Sequence, residues 1–312
     1  MELIKGEKVD THDGYHWIKV NCPICDLRPT DFVGKRGGTS HRANLGVETE
    51  IWACGKCGLM FADPMPIPIG GIEQHYSIDA DDYFENHESE TRLSWGRVLV
   101  EEAEEFLGGR KGKMLDVGAG RGEILLCAKE KGWEVAGVEP SESFADYAEK
   151  ATGIKIHRRP VEKCDFADEE FDVVILSAVL EHLYNPDEVV AEISRITKRG
   201  GLFYLDVPNE RGLFFKVGNL YQKIRGTGWS VNLSPTFTPY HIFGFSPKSV
   251  KMLLAKHNYG IRKMGVYGGT SLVPEDGGGI RAKIEARAAK AITALSNYGN
   301  LGTYIIGWAV KK

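Results

Sequence analysis

The stretch of this 312-residue chain with the most chemistry in it is Lys113-Met114-Leu115-Asp116-Val117-Gly118-Ala119-Gly120-Arg121-Gly122, an apolar run that ends in an acid and alternating glycines. Glycine has no Cβ, so the chain can turn sharply there and a ligand can approach the main chain. In the dinucleotide fingerprint two residues separate the second and third glycines, whereas here one residue separates Gly120 from Gly122. Asp116 would repel a phosphate, and no Gly-Lys-Ser/Thr follows to make a P-loop. The favoured ligand is small and polar, carries positive charge and has no pyrophosphate. Glu139 follows the apolar run Val135-Ala136-Gly137-Val138, 17 residues after Gly122. A carboxylate at that strand end can accept both hydroxyls of a ribose, which makes the ligand a nucleoside.

Four of the six cysteines form a second constellation, Cys22-Pro23-Ile24-Cys25 and Cys54-Gly55-Lys56-Cys57, with 28 residues between the pairs. Two CxxC pairs predict a tetrahedral zinc-ribbon site with Cys22, Cys25, Cys54 and Cys57 as ligands. Four thiolates leave no open position, so this Zn²⁺ is structural. In a segment too short to bury a core of its own, the ion supplies folding free energy. Cys127 and Cys164 stand alone, which points to a reducing compartment and not to disulfides.

Around these groups the chain divides into three parts: a zinc-ribbon module over 1–75, a linker and helical cover over 76–112, and a ligand-binding domain over 113–312 with an insertion at about 210–247. Asp63 to Gly71 reads as a proline-punctuated linker, unfit for a helix or a central strand. The acidic, aromatic segment from His75 to Phe84 and a helix over Thr91–Leu107 could cover the ligand, with Tyr83 closing over it. From Lys113 onward strands and helices alternate, predicting a doubly wound parallel sheet. Strands are expected at Met114–Val117, Glu134–Glu139, Ile154–His157, Asp172–Leu176, Leu202–Val207, Arg262–Tyr267 and Thr303–Val310. Helices are expected at Glu123–Lys131, Ser143–Ala151, Pro186–Thr197 and Ile280–Ser296.

Taken in order, Asp116–Gly122, Glu139-Pro140-Ser141, Phe171-Asp172-Val173-Val174, Val179-Leu180-Glu181-His182-Leu183, Lys198-Arg199-Gly200-Gly201 and Asp206-Val207-Pro208-Asn209 resemble the successive motifs of class I S-adenosylmethionine (SAM) methyltransferases. With the cysteine pairs in front, the chain is similar to zinc-ribbon methyltransferases of sugar, surface-polysaccharide and natural-product pathways. The resemblance implies a Rossmann-like seven-stranded α/β sheet with SAM as cofactor. By position it places Gly118, Ala119 and Gly120 under the methionine moiety, Asp116 at the ammonium and Glu139 with Pro140 at the ribose. Ser177, at the end of the fourth strand, joins the cofactor-binding set. The loop after the third strand often offers an Asp to adenine. Here it reads His157-Arg158-Arg159-Pro160-Val161-Glu162, which moves that contact to the backbone of Val161 and Glu162.

Methyl transfer from a sulfonium needs in-line placement and desolvation, with a base only where the nucleophile holds its proton tightly. His182, after the fourth strand, and His241, in the turn-rich insertion, are the candidate bases for a sugar hydroxyl. Tyr240, Asn209 and Glu181 stand behind them. No Asn/Asp-Pro-Pro-Tyr follows the fourth strand, which disfavours N-methylation of DNA adenine or glutamine. A small-molecule or glycan acceptor is the expected partner. C-methylation of a nucleotide-linked keto-sugar, RNA methylation and a non-catalytic zinc-ribbon scaffold are the alternatives. A net charge of −4 gives no basic field for gathering nucleic acid. The amino terminus lacks a signal core and no apolar run is long enough to span a bilayer, so a cytoplasmic protein is expected. The basic-aromatic segment Leu213–Val231 suits an acceptor lid, peripheral contact with a membrane surface, or simple packing.

Overall fold

Short β-branched runs broken by glycine and polar turns become strands here, and runs with helical apolar spacing become the layers that cover them. The computed structural model describes residues 4–71, 89–268, 280–296 and 301–312. The acidic, aromatic segment with Tyr83 lies outside them, as does most of the linker part of 76–112.

The first strands are β1 (Gly6–His12), β2 (Tyr15–Val20), β3 (Asp31–Arg36), β4 (Thr49–Ala53), β5 (Met60–Ala62) and β6 (Met65–Pro68). Helix α1 (Ser89–Phe106) leads to β7 (Lys113–Val117), α2 (Glu123–Glu130), β8 (Glu134–Val138), α3 (Glu142–Thr152) and β9 (Ile156–His157). Then come β10 (Phe171–Ser177), α4 (Pro186–Ile196), β11 (Thr197–Pro208) and α5 (Leu213–Ile224). The last elements are β12 (Phe243–Gly244), α6 (Pro247–Lys256), β13 (Tyr259–Tyr267), α7 (Ile280–Ser296) and β14 (Tyr304–Lys311). The strands and helices expected from Lys113 onward are all present, with ends displaced by a few residues.

The main sheet has seven strands in the order β13-β14-β11-β10-β7-β8-β9. Strands β9 to β11 by way of β7 are parallel, and β14 runs antiparallel between β11 and β13. This is the Rossmann-like doubly wound α/β fold. The strand order reverses between β7 and β10, so their carboxyl ends open a crevice in which ligands of such sheets bind. The loops that leave β7, β8, β10 and β11 all border that end. Helix α1 buries Leu99, Val100 and Ala103 in one cluster with Trp308 and Tyr204. It crosses α2 closely at Gly96, where an added Cβ would lie 3.2 Å from Cys127 Sγ. Cys127 is buried there as a small hydrophobe.

Ahead of the main sheet lie a three-stranded sheet, β1-β2-β6, and a four-stranded one, β12-β5-β4-β3. Two findings differ from the sequence expectation. The proline-rich stretch contains the edge strand β6, paired antiparallel to β2. An edge tolerates proline because the missing N–H is not needed by a further strand. In addition, β12, from the insertion after β11, pairs with β5. The N-terminal segment therefore has no core to itself. Val20, Leu59, Phe61, Met65 and Ile67 belong to one cluster with Leu115, Leu176, Phe243, Phe245 and Val250.

Phe61 and Phe243 pack with ring centroids 5.7 Å apart across that junction. Phe61→Ala is expected to cost about 3–5 kcal/mol of stability, the usual range for a fully buried phenylalanine. Urea unfolding followed by tryptophan fluorescence measures it. A cost below about 1 kcal/mol would mean that the junction contributes little.

Candidate active site and metal centre

The two CxxC segments fold as matching turns. Asp26 N–H donates to Cys22 O at 2.8 Å and Gly58 N–H to Cys54 O at 2.7 Å. Cys22 N–H and Cys54 N–H donate to Leu27 O and Leu59 O, each at 2.8 Å. The turn requires a left-handed residue, and Asp26 (φ 54°) supplies it where Gly58 (φ 79°) does so in the second copy. Aspartate is among the few side chains that tolerate this region. The four sulfurs lie within 4.8 Å of one another, with Cys22 Sγ and Cys57 Sγ at 3.5 Å. None of the four is in a disulfide. Such a donor set fits Zn²⁺. The neighbouring Cys22 thiol, 3.5 Å away, draws the Cys57 thiol below its ordinary value.

Helix α6 spans both turns. Its N-cap Ser246, in a capping box with Ser249, donates from Oγ to Cys57 O at 3.4 Å. At its other end Lys256 Nζ donates to Pro23 O at 3.0 Å. The cysteine turns thereby fix α6 and β12.

At the carboxyl edge of the main sheet the glycine turn has its own amides engaged. Gly118 and Ala119 N–H both donate to Val138 O, at 2.8 and 3.0 Å, and Gly122 N–H to Ala119 O at 2.7 Å. Gly120 N–H donates to Glu139 Oε2 at 3.1 Å. These four N–H groups are therefore not offered to a phosphate. With those amides engaged, the turn suits a ligand that donates better than one that accepts. Gly118 (φ 75°) lies against Val179, whose Cγ2 would be 2.4 Å from an added Cβ. Gly120 (φ 54°) has nothing within 4 Å of such an atom, so a side chain there would enter open space.

Glu139, 6% exposed, also accepts from Ser141 N–H at 3.0 Å. Burial raises its carboxyl above the usual range despite those two amide bonds. Pro140 beside it is half-buried, Ala119 and Val161 are buried, and Glu162 is exposed. Ser177 Oγ donates to Asp206 Oδ2 at 2.7 Å, so its hydroxyl proton is committed and only its oxygen remains for a ligand.

Asp116 is buried and its carboxyl is pushed up to about 7, first by burial and then by the charges of Glu123 and Glu139. Only the ionised form attracts an ammonium group, and its fraction falls as pH drops through 7. SAM affinity is therefore expected to fall about tenfold from pH 8 to pH 6, a factor set by one group protonating in the free protein. Calorimetry at the two pH values checks this, and a flat profile would remove Asp116 from the ammonium site.

The histidines meet beyond β10. His182 and His241 rings pack edge to face with centroids 4.9 Å apart. His182 Nδ1 lies 3.3 Å from Tyr240 O, and Ile242 N–H donates to Glu181 O at 2.8 Å, which ties the insertion to the loop after β10. Burial lowers both imidazoles, His241 to about 3, so both are neutral at pH 7. Glu181 is 3% exposed, its carboxyl is pushed up to about 8 by burial, and its Oε2 is buried without a hydrogen-bond partner.

Asn209, a secondary candidate, is buried and engaged structurally, donating from Nδ2 to Gly302 O at 2.8 Å. Two groups were given no role in the sequence reading, although Asp206 lies in one of its motifs. Asp206 accepts from Ser177, Tyr204 and Ala178 and orders the end of β10. Arg92 on α1 is exposed, and its charge partly offsets the burial that raises the carboxyls of Asp116, Glu123, Glu181 and Asp206. No local pattern marks it, because which residue of a covering helix overhangs a crevice depends on how the helix docks.

Residues 115–205 match the profile of a family described as a methyltransferase domain. An uncharacterized protein of Methanocaldococcus jannaschii is 35% identical over 113 residues, 36% of this chain and 51% of that protein. A ubiquinone biosynthesis O-methyltransferase of Methylococcus capsulatus is 32% identical over 119 residues, 36% of this chain and 49% of that protein. The chain thus spans about half the length of these curated relatives. Among solved structures, a SAM-dependent methyltransferase from Archaeoglobus fulgidus covers 74% of this chain and 97% of its own, with 19% identity and a TM-score of 0.48. The matched profile begins after the cysteine turns and ends before His241.

Proposed function

We propose that this chain, whose residues 115–205 form a methyltransferase domain, transfers a methyl group from SAM to a hydroxyl of a sugar or glycan acceptor. The observation that carries the cofactor assignment is the junction of the glycine turn with Glu139. An acid, the glycine turn and a ribose-competent carboxylate share one sheet edge, while the amides that would hold a phosphate are engaged inside the turn. When bound, SAM supplies an activated methyl group on a sulfonium. Asp116 faces the ammonium, Gly118, Ala119 and Gly120 floor the methionine moiety, and Glu139 and Pro140 hold the ribose side. Val161 and Glu162 border the adenine, and Ser177 orders the end of β10.

Past that floor, Val179 leads from Gly118 to the His182 and His241 pair, whose neutral imidazoles can take the acceptor proton. Oxygen as the accepting atom is supported by the ubiquinone O-methyltransferase relatives, and a sugar by the zinc-ribbon front and the insertion that it braces. Helix α5 adds an exposed apolar face, Leu220, Tyr221 and Ile224, beside Lys223 and Arg225. That face suits a glycan carrier or peripheral contact with an anionic membrane, which flotation with anionic and neutral vesicles tests. Among the described residues no helix is long and apolar enough to cross a membrane.

The test is incubation of zinc-loaded protein with methyl-labelled SAM and a panel of free, nucleotide-linked and polymeric saccharides, with product NMR. A new methyl on oxygen is expected, and one on carbon would move the assignment to a keto-sugar. Absence of S-adenosylhomocysteine binding to folded protein would overturn the proposal altogether.

A further inference from the structure

Among the described residues, the four cysteines are one of two groups with metal-ligand geometry. The other is Glu181, His182 and His241, whose ligand atoms all lie within 4.8 Å of one another. We infer that these three side chains form a second, exchangeable site for a divalent transition-metal ion, facing the acceptor side of the crevice.

Three observations support a ligand there. Glu181 is 3% exposed and its Oε2 has no hydrogen-bond partner, so a buried carboxylate oxygen lacks the donor or cation that burial ordinarily requires. His182 directs Nδ1 at Tyr240 O, leaving Nε2 on the Glu181 side, 3.9 Å from Oε1. A metal-binding histidine usually donates its other ring nitrogen to a carbonyl in this way, which fixes the tautomer. Finally, the three groups come from two segments held together by the Ile242 N–H to Glu181 O bond, so the main chain already aligns them.

Two imidazoles and one carboxylate with open positions suit Zn²⁺, Mn²⁺ or Fe²⁺. The ligand atoms need only close from at most 4.8 Å to about 3.3 Å, the separation implied by tetrahedral bonds of about 2 Å. With the His182 side chain 29% exposed, the remaining positions are open to water or to an acceptor oxygen. The site stands on its own geometry. Only its use, holding the acceptor oxygen, rests on the methyl-transfer proposal. A histidine that ligates metal cannot also take the acceptor proton, so the metal count decides between the two roles.

The 312-residue chain is saturated with Zn²⁺, freed of excess metal by gel filtration and assayed by elemental analysis. Two equivalents are expected in the wild type and one in Glu181→Gln and in His241→Ala, with unchanged circular dichroism and S-adenosylhomocysteine binding. Co²⁺ added to protein carrying one equivalent of Zn²⁺ should give d–d bands without thiolate charge transfer, and these should vanish in both variants. One equivalent in the wild type, or a second that survives both substitutions, overturns the site. S-adenosylhomocysteine binding with one equivalent leaves the methyltransferase proposal standing. Two equivalents without such binding does the reverse.

Discussion

Glu139→Ala is expected to weaken S-adenosylhomocysteine binding about 100-fold, or about 2.7 kcal/mol, while leaving the fold intact. A hydrogen bond to a charged acceptor is worth about 1.5–3 kcal/mol, so the expected loss corresponds to one or two ribose hydroxyl bonds to this side chain. The native amide bonds from Gly120 and Ser141 hold the carboxylate in place before the ligand arrives, which limits the ordering cost on binding. Stability should change little, because two terms oppose each other: the Gly120 and Ser141 amides lose their acceptor, while the cost of burying the carboxylate is relieved. Glu139→Gln should rescue little, because its amide nitrogen would face one of the two N–H donors that the carboxylate now accepts. Calorimetry and thermal melting of both variants read out the result. A loss below threefold in folded Glu139→Ala would detach the ribose from this strand end.

That Asp116, the glycines and Glu139 were legible in the sequence follows from their setting. Each ends a short apolar run, and in a parallel sheet every strand ends at the same edge, so their meeting is dictated by the alternation of strands and helices. The cysteine turns were legible for a similar reason, since spacing within each pair is local. The pairing of β12 with β5 was not. Phe243 and Gly244 are two residues with no periodicity, and their partner lies in the first fifth of the chain. Nor could the sequence show that Ser177 faces Asp206. The two are register partners on β10 and β11, and the donated hydrogen bond changes what Ser177 can offer a ligand. His182 and His241 were separable candidates in the sequence. Folding makes them one unit with Glu181, and that changes the chemistry available to all three.

Disrupting the cysteine centre should remove acceptor chemistry before it removes cofactor binding. Cys57→Ser with Cys54→Ser deletes half the ligands of a site whose metal would contribute about 10–16 kcal/mol of apparent binding free energy, comparable to the whole stability of an ordinary domain. The disturbance has a defined route. Cys57 O accepts from the α6 cap, β5 begins three residues later and carries β12, and Ile242 then ties His241 to Glu181. The glycine turn and Glu139 are held instead by β7, β8 and β9: Val138 O accepts from Gly118 and Ala119 N–H, and Glu139 N–H donates to His157 O. If about 5 kcal/mol of the metal contribution is lost to the shared core, the melting temperature falls by about 10–20 °C, using 2–4 °C per kcal/mol for a chain of this size. At temperatures below that transition, turnover of the acceptor should drop at least about 100-fold, as expected when positioning of a reacting group fails, with S-adenosylhomocysteine affinity held within about threefold. Where the double variant does not fold, graded chelation of the wild-type protein, with zinc release, affinity and turnover followed in parallel, gives the same comparison. Turnover that persists after release of the cysteine-bound zinc would show that the insertion keeps its histidines in place without the metal.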